Sequence, residues 1–487
     1  MSKKLPPADA FFLLTESDNT PNQIGVLCRF KLPKGKTNKF ILDLVNEFSE
    51  YQPTAAPWNL KLAGGVGSKL APAWEPAAYV EMDYHLRHAA LPQPGGEREL
   101  AVLISRIHSI PLDHNRPMWE CHVIEGLADG TFAVYMKMHH ALVDGVAGSR
   151  IISRWMSPDP KATHKPVWMM KKPSSGKRPD QAAQARATLA KQLTKPAKSM
   201  ATVLGAVRES VRGSRSKVKG LVAPYSAPTS IFNRAVGPQR RVSTVDLDID
   251  RLLAIGKAMG GTLNDVVMAI SGGAVRSYLL EQNALPNKPL TAQVPVSLKT
   301  KDDQGGGNAL GMILASMATH EADPADRFAT VRQSMKAGKA LMSEMSVAEV
   351  TAYASMMMLP YTIGQMTGIG NRAAKPAYSM VISNVPGPKE VRYVNGAECI
   401  SMHPVSFIMQ GQALNITLFT YADKLSFIFT ACSQSLPNVQ KLVPHTIAAM
   451  EELEAAAGIK APKKKSPAAP RKKAAARKVT AKTNAEK

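Results

Sequence analysis

The chain has 487 residues, 45% of them hydrophobic and 20% charged, enough to bury a large core and divide into two or more domains. Its formal charge of +23 is confined to two segments, net +13 over residues 161–219 and net +10 over residues 460–487, so the remainder is formally neutral and a basic nucleic-acid-binding body is excluded. Four scattered cysteines (Cys28, Cys121, Cys399, Cys432) exclude a disulfide framework. No run of about 20 apolar residues makes a transmembrane helix, and the start Met1-Ser2-Lys3-Lys4 carries no apolar signal segment; a cytoplasmic enzyme is the expectation.

In chain order, the first strong pattern is a hairpin. Trp119–Ile124 and Thr131–Met138 flank the turn residues Asp129-Gly130, and the second run alternates, with Phe132, Val134, Met136 and Met138 on one side. The spacing of Val146, Ile151, Ile152 and Trp155 then suits a helix. Between them stands Met138-His139-His140-Ala141-Leu142-Val143-Asp144-Gly145, on a strand-to-loop-to-helix corner. Residues 157–180 hold five prolines and five lysines and read as irregular. Residues 183–219 read as a basic helix broken near Pro196, either lying on a membrane surface or packed on the body.

The second half mixes both element types. Arg241–Leu247, Leu290–Val296, Met312–Thr319, Tyr378–Ser383, Gly411–Tyr421 and Lys424–Ala431 read as strands, the last two a hairpin across Ala422-Asp423. Ile249–Met259 and Asp323–Ser343 read as helices. Thr262 starts another that runs to Glu281, with Asp265 completing a capping-box-like pair. Met345–Ile369, with five methionines and a break at Pro360, suits a core helix, an acyl-chain pocket or a lipid surface. The Lys/Ala/Pro tail has no apolar periodicity and reads as disordered.

The adjacent histidines carry the chemistry. An imidazole titrates near pH 6.5 and exchanges protons near neutrality. Neighbouring strand residues face opposite ways, so one histidine is expected to react and the other to support it. Adjacent histidines do not converge on one ion, and no Cys-x-x-Cys is present, so no metal is expected. No Gly-x-Ser-x-Gly elbow supplies a nucleophile either.

The run His139-His140-x-x-x-Asp144-Gly145 resembles the signature of acyl-CoA-dependent acyltransferases and of condensation domains related to chloramphenicol acetyltransferase. Asn115-Arg116-Pro117-Met118-Trp119-Glu120, Thr262-Leu263-Asn264-Asp265-Val266-Val267 and Ser383-Asn384-Val385-Pro386-Gly387-Pro388 resemble, in that order, further blocks of the bacterial wax ester synthase/diacylglycerol acyltransferase family. The opening Ala8-Asp9-Ala10-Phe11-Phe12-Leu13 also suits its amino terminus. The resemblance spans about residues 5–455 and leaves out the tail.

It implies an α/β fold of two chloramphenicol-acetyltransferase-like domains with the active site in a channel between them. The divisions are 1–160 and 236–458, a basic crossover at 161–235 and a tail at 459–487. It implies transfer of a fatty acyl group from acyl-CoA, the co-substrate, to a long-chain alcohol or diacylglycerol, with no other cofactor. His140 is the implied base, His139 its support, and Asp144 the partner of an imidazole or an arginine. Gly145 is expected to clear room for substrate. Asn264 is expected to face the channel or to cap its helix, and Asp265, Ser383 and Asn384 to support the channel wall. Location at the inner membrane face or a lipid inclusion is expected, and nucleic acid only through the tail. A condensation-type enzyme with another donor or acceptor, or a non-catalytic lipid-inclusion or DNA-binding protein, are the alternatives.

Overall fold

The computed structural model describes residues 3–64, 72–143, 145–170, 204–205, 207–208, 219–298, 309–343, 345–346, 349–350, 352–354, 356, 364 and 376–459. Its frame is two six-stranded sheets. The first runs, edge to edge, Tyr393–Val394, Ala397–Val405, Gln23–Lys31, Thr131–His139, Trp119–Glu125, Leu86–Ala90. The second runs Ala309–Ser316, Thr291–Leu298, Met380–Val385, Leu414–Tyr421, Lys424–Cys432, Arg240–Asp248. Each is mixed: Leu86–Ala90 lies parallel to Trp119–Glu125, and Met380–Val385 parallel to both its neighbours. A small sheet of Lys3–Lys4, Ala73–Pro76 and Leu60–Leu62 stands apart.

The expected hairpin forms, with Trp119 opposite Met138 and Gly130 taking φ +75° in the turn. All nine residues of Thr131–His139 are buried, because the strand is central and covered on both faces. The second hairpin turns at Ala422, φ +50°. Several strand limits differ by one to three residues from those expected, such as Met380–Val385 for Tyr378–Ser383, and two of them move at a positive-φ residue. Gly411 (φ +74°) is still in a turn, so that strand begins at Leu414; Ala318 (φ +48°) turns the chain away, so the other ends at Ser316. The Thr262–Asp265 capping box starts the helix Leu263–Glu281 as its sequence implies.

The halves are interleaved. Ala397–Val405 leaves the second half and pairs with Gln23–Lys31, placing Cys399, Met402 and Val405 in the first core. Hydrogen bonding explains the exchange: Gln23–Lys31 would otherwise expose an unpaired edge. Both ends of the 161–235 stretch pack into the cores. Trp168 is buried in the first core, with Nε1 donating to Tyr51 O at 2.9 Å, and Phe232 is buried in the second. Nearly all of 171–218, most of 345–369 and the tail from 460 lie outside the described residues, so the helices and disorder expected there are not addressed.

Two polar seams join the sheets. The helix Glu97–Ser109 packs along the edge strand Arg240–Asp248. Ser105 Oγ accepts from Val242 N at 2.9 Å and Ser109 Oγ from Arg240 N at 2.8 Å. Four helical residues rise about 6 Å and two strand residues about 6.7 Å, so the two spacings match. Elsewhere His403 Nε2 (2.8 Å) and Ser426 Oγ (2.6 Å) meet the same oxygen of Asp246. Because both bond to the carboxylate, no imidazole bridges serine and aspartate; this trio clasps the sheets and is not a nucleophilic triad.

Candidate active site

The end of Thr131–His139 lies between two neighbours, and its last amides alternate between them. His139 N donates to Met118 O at 3.0 Å; His140 N donates to Asn22 O at 2.9 Å. The side chains therefore take opposite sides. His139 is fully buried, whereas His140 is half-buried one residue beyond the strand. The Met118-Trp119 block acts here through its backbone and core packing. Met118 O holds the histidine strand, and buried Trp119 stacks on Trp168 at 5.4 Å.

His139 meets a carboxylate that sequence reading missed. Its Nε2 lies 3.3 Å from Glu16 Oε2, which His114 Nε2 approaches at 2.8 Å. Glu16 Oε1 accepts from Asn22 N at 2.9 Å. Burial alone would raise the Glu16 carboxyl; hydrogen bonds from His114 and His139 outweigh it and bring it down to about 2. The bond to Glu16 in turn raises His114 above the ordinary histidine value.

The donor atoms of Glu16, His114 and His139 lie within 4.8 Å of one another, close enough to consider a metal. The protonation pattern points elsewhere. A metal-bound histidine donates its second N–H outward. His139 Nδ1 instead accepts from Ala141 N at 3.1 Å, which puts the proton of a neutral ring on Nε2, facing Glu16. The trio is held by close imidazole–carboxylate contacts.

His140 sits against two phenylalanines. The Phe12 ring, from the helix Pro7–Leu14, lies 3.9 Å from the imidazole centroid at 33°; Phe407 stands 5.3 Å away at 76°. Asn22 secures this arrangement twice: its carbonyl receives His140 N, and its Nδ2 donates to Phe12 O at 2.6 Å. Beneath Phe407, buried His108 bridges Tyr135 Oη (2.7 Å) and Ser406 O (3.0 Å); burial lowers it to about 3, so it stays neutral.

Asp144 lies outside the described residues. Gly145 opens the helix Gly145–Trp155, and a Cβ there would meet no atom of the described residues within 4 Å. In the second half, Asn384 Nδ2 donates to Asn264 Oδ1 at 2.8 Å, joining two blocks 120 residues apart. That bond leaves the Asn264 amide nitrogen to serve as a donor. Asp265 Oδ2 accepts from Thr262 N and Oγ1, both at 2.8 Å, and so starts the helix that carries Asn264. Ser383 precedes Asn384 on one strand and faces the other way, so the two do not share a wall.

Comparison with known proteins decides the family. The wax ester synthase/diacylglycerol acyltransferase catalytic domain matches residues 5–267, and the C-terminal domain of the same family matches residues 306–454. The chain belongs to this family. Relatives of this acyltransferase include a probable diacylglycerol O-acyltransferase of Mycobacterium tuberculosis, 38% identical over 93% of this chain and 99% of that protein. The O-acyltransferase WSD of Acinetobacter baylyi is 37% identical over 91% and 95%. The solved wax ester synthase/diacylglycerol acyltransferase of Marinobacter aquaeolei VT8 superposes with a TM-score of 0.76 at 32% identity, covering 94% of this chain and all of that one. A condensation domain of the calcium-dependent antibiotic synthetase shares the fold alone, with a TM-score of 0.57 at 17% identity. The expected α/β acyltransferase architecture is thus observed, and the chain is an acyltransferase.

Glu16, Asn22, His114 and Phe407 had no sequence signal of their own, being 26 to 267 residues from His140 and marked by no spacing. Phe12 lay within a block that only resemblance singled out.

Proposed function

We propose that His140 is the general base for transfer of a fatty acyl group from acyl-CoA to a lipid hydroxyl, yielding wax esters or triacylglycerol according to the acceptor. The observation that carries this reading is the asymmetry of the pair. His139 is sealed against Glu16, while His140 is only partly buried at the strand end. His140 takes the hydroxyl proton as that oxygen attacks the thioester carbonyl. The tetrahedral oxyanion collapses, the C–S bond breaks, and the imidazolium returns the proton to the CoA thiolate. No covalent enzyme intermediate and no metal enter this scheme. His139 positions the corner, and the Asn264 amide, held by Asn384, supplies a donor on the side of the second half.

Both acceptor classes occur in the relatives' names: diacylglycerol in the mycobacterial proteins, and wax ester synthesis in the Marinobacter structure. The segments 161–219 and 460–487 hold the whole net positive charge and suit an anionic lipid surface in the cytoplasm. Among the described residues no helix is long and apolar enough to cross a membrane.

The test supplies purified protein with palmitoyl-CoA and offers hexadecanol and dipalmitoylglycerol in competition, beside His140→Ala. Ester formation that depends on His140 supports the assignment; thiol release and ester formation unchanged in the variant overturn it.

A further inference from the structure

We propose that Phe12 and Phe407 set the acceptor specificity of this enzyme by limiting branching next to the reacting hydroxyl. The inference rests on His140 being the base. A hydroxyl that gives its proton to this imidazole lies about 2.6–3.2 Å from a ring nitrogen. Its carbinol carbon and the carbon beyond are then within van der Waals reach of whatever packs against the ring. Phe12 covers the imidazole at 3.9 Å between centroids, and Phe407 stands edge-on at 5.3 Å. The two phenylalanines also touch each other, 5.7 Å apart at 83°.

Both rings are half-buried, so each keeps surface that the protein does not cover. They come from opposite ends of the chain. Phe12 rides on the helix Pro7–Leu14; Phe407 follows the strand that the second half lends to the first sheet. Each is fixed through its backbone. Asn22 Nδ2 holds Phe12 O, and His108 holds Ser406 O, so a changed side chain leaves those bonds intact. The wall facing the acceptor is therefore aromatic, rigid and made jointly by both halves.

A linear primary alcohol presents two unbranched methylenes to this wall. A 1,2-diacylglycerol presents a carbon that bears an ester branch beside the reacting carbinol. Phe12 and Phe407 favour the first and restrict the second, and shortening either one relaxes the restriction.

The experiment compares hexadecan-1-ol with 2-hexyldecan-1-ol, which has the same carbon count and the same primary hydroxyl but is branched at the second carbon. Dipalmitoylglycerol is assayed alongside, with palmitoyl-CoA as donor. In Phe12→Ala the ratio of kcat/KM for the branched over the linear alcohol is expected to rise about tenfold, the scale of filling or emptying one apolar subsite. Phe12→Leu, which keeps an apolar contact with the helix, gives a smaller rise, and Phe407→Ala a rise in the same direction. The ratio for dipalmitoylglycerol over hexadecan-1-ol follows, while the KM for palmitoyl-CoA stays within about twofold of wild type. Ratios within about twofold of wild type in all three folded variants overturn the proposal. His140→Ala is read separately: it abolishes turnover on both alcohols if His140 is the base, and its failure to do so overturns that reading while leaving the Phe12 ratios as a measured fact.

Discussion

The first sheet ends its central strand in titratable groups: His139 and His140, with Glu16 and His114 gathered beside them. The second half contributes amides at the matching blocks, Asn264 on a helix and Asn384 on a strand, bonded to each other at 2.8 Å. In the proposed mechanism one half handles protons, and the other offers fixed dipoles. The seams between them are polar as well, through Ser105, Ser109 and the Asp246 clasp. Such a division suits a reaction in which a proton moves once and a negative oxygen appears transiently, since each event can be served by a group that the other does not perturb.

Exchanging the roles of the two histidines tests this division most severely. His140→Ala is expected to lower kcat by about 10³-fold, within the range for a lost general base, with little change in thermal stability. His139→Ala removes a buried ring and leaves the Ala141 amide and the Glu16 carboxylate short of partners. It is expected to cost about 2–4 kcal/mol of stability together with activity. Thermal unfolding and palmitoyl-CoA turnover measured on both variants separate the outcomes. A large stability loss in His140→Ala and none in His139→Ala would reverse the assignment.

The Glu16 cluster gives the first half a pH signature that the second half's amides lack. The folded Glu16 carboxyl sits near 2, below its ordinary 4.5. A lowered carboxyl contributes stability above 4.5 that is lost as pH falls through the interval from 4.5 to 2, here up to about 3 kcal/mol. His114 is raised by the same bond, so its contribution is complete below the ordinary histidine value and fades as pH rises through its higher folded value. Glu16→Gln is expected to flatten the acid limb of a plot of unfolding midpoint against pH. An unchanged acid limb in that variant removes Glu16 from the account.

The histidine split was legible because strand alternation is a local rule that both residues obey. The Thr262–Asp265 cap was legible for the same reason: its donors and acceptors lie three residues apart. Glu16 and His114 were not, since the corner gathers them from 123 and 25 residues before His139 with nothing periodic between. The strand Ala397–Val405 hid for a different reason. A register shift between Cys399 and Ser401 breaks its alternation, and it pairs with a strand some 370 residues earlier. Gln23–Lys31 is largely buried on both faces, which erases the period-two signal that marks a half-exposed strand.

A gentler test reaches the amide side. Asn384→Ala frees Asn264 to rotate while leaving its helix capped by Asp265. A drop in kcat of about tenfold is expected, less than the loss of a direct oxyanion donor, with the KM for either substrate little changed. If kcat holds and only the unfolding midpoint moves, the asparagine pair is structural and the second half contributes shape alone.

The smallest expected effect lies at the seam. The Ser105 and Ser109 hydroxyls donate to Ala101 O and Ser105 O within their own helix, at 2.6 Å each, which leaves their lone pairs facing the strand amides. Ser105→Ala strands the Val242 N–H where both residues are buried and is expected to cost about 1–2 kcal/mol. Ser109→Ala, at a serine less buried than Ser105, is expected to cost about half that, because water can replace the hydroxyl. Ser105→Thr keeps the hydroxyl and should recover most of the loss. Chemical denaturation of the three variants checks the order. Equal costs at both serines would mean that the edge strand is no drier at Val242 than at Arg240, and that the halves are held by their shared strand Ala397–Val405 and the Asp246 clasp alone.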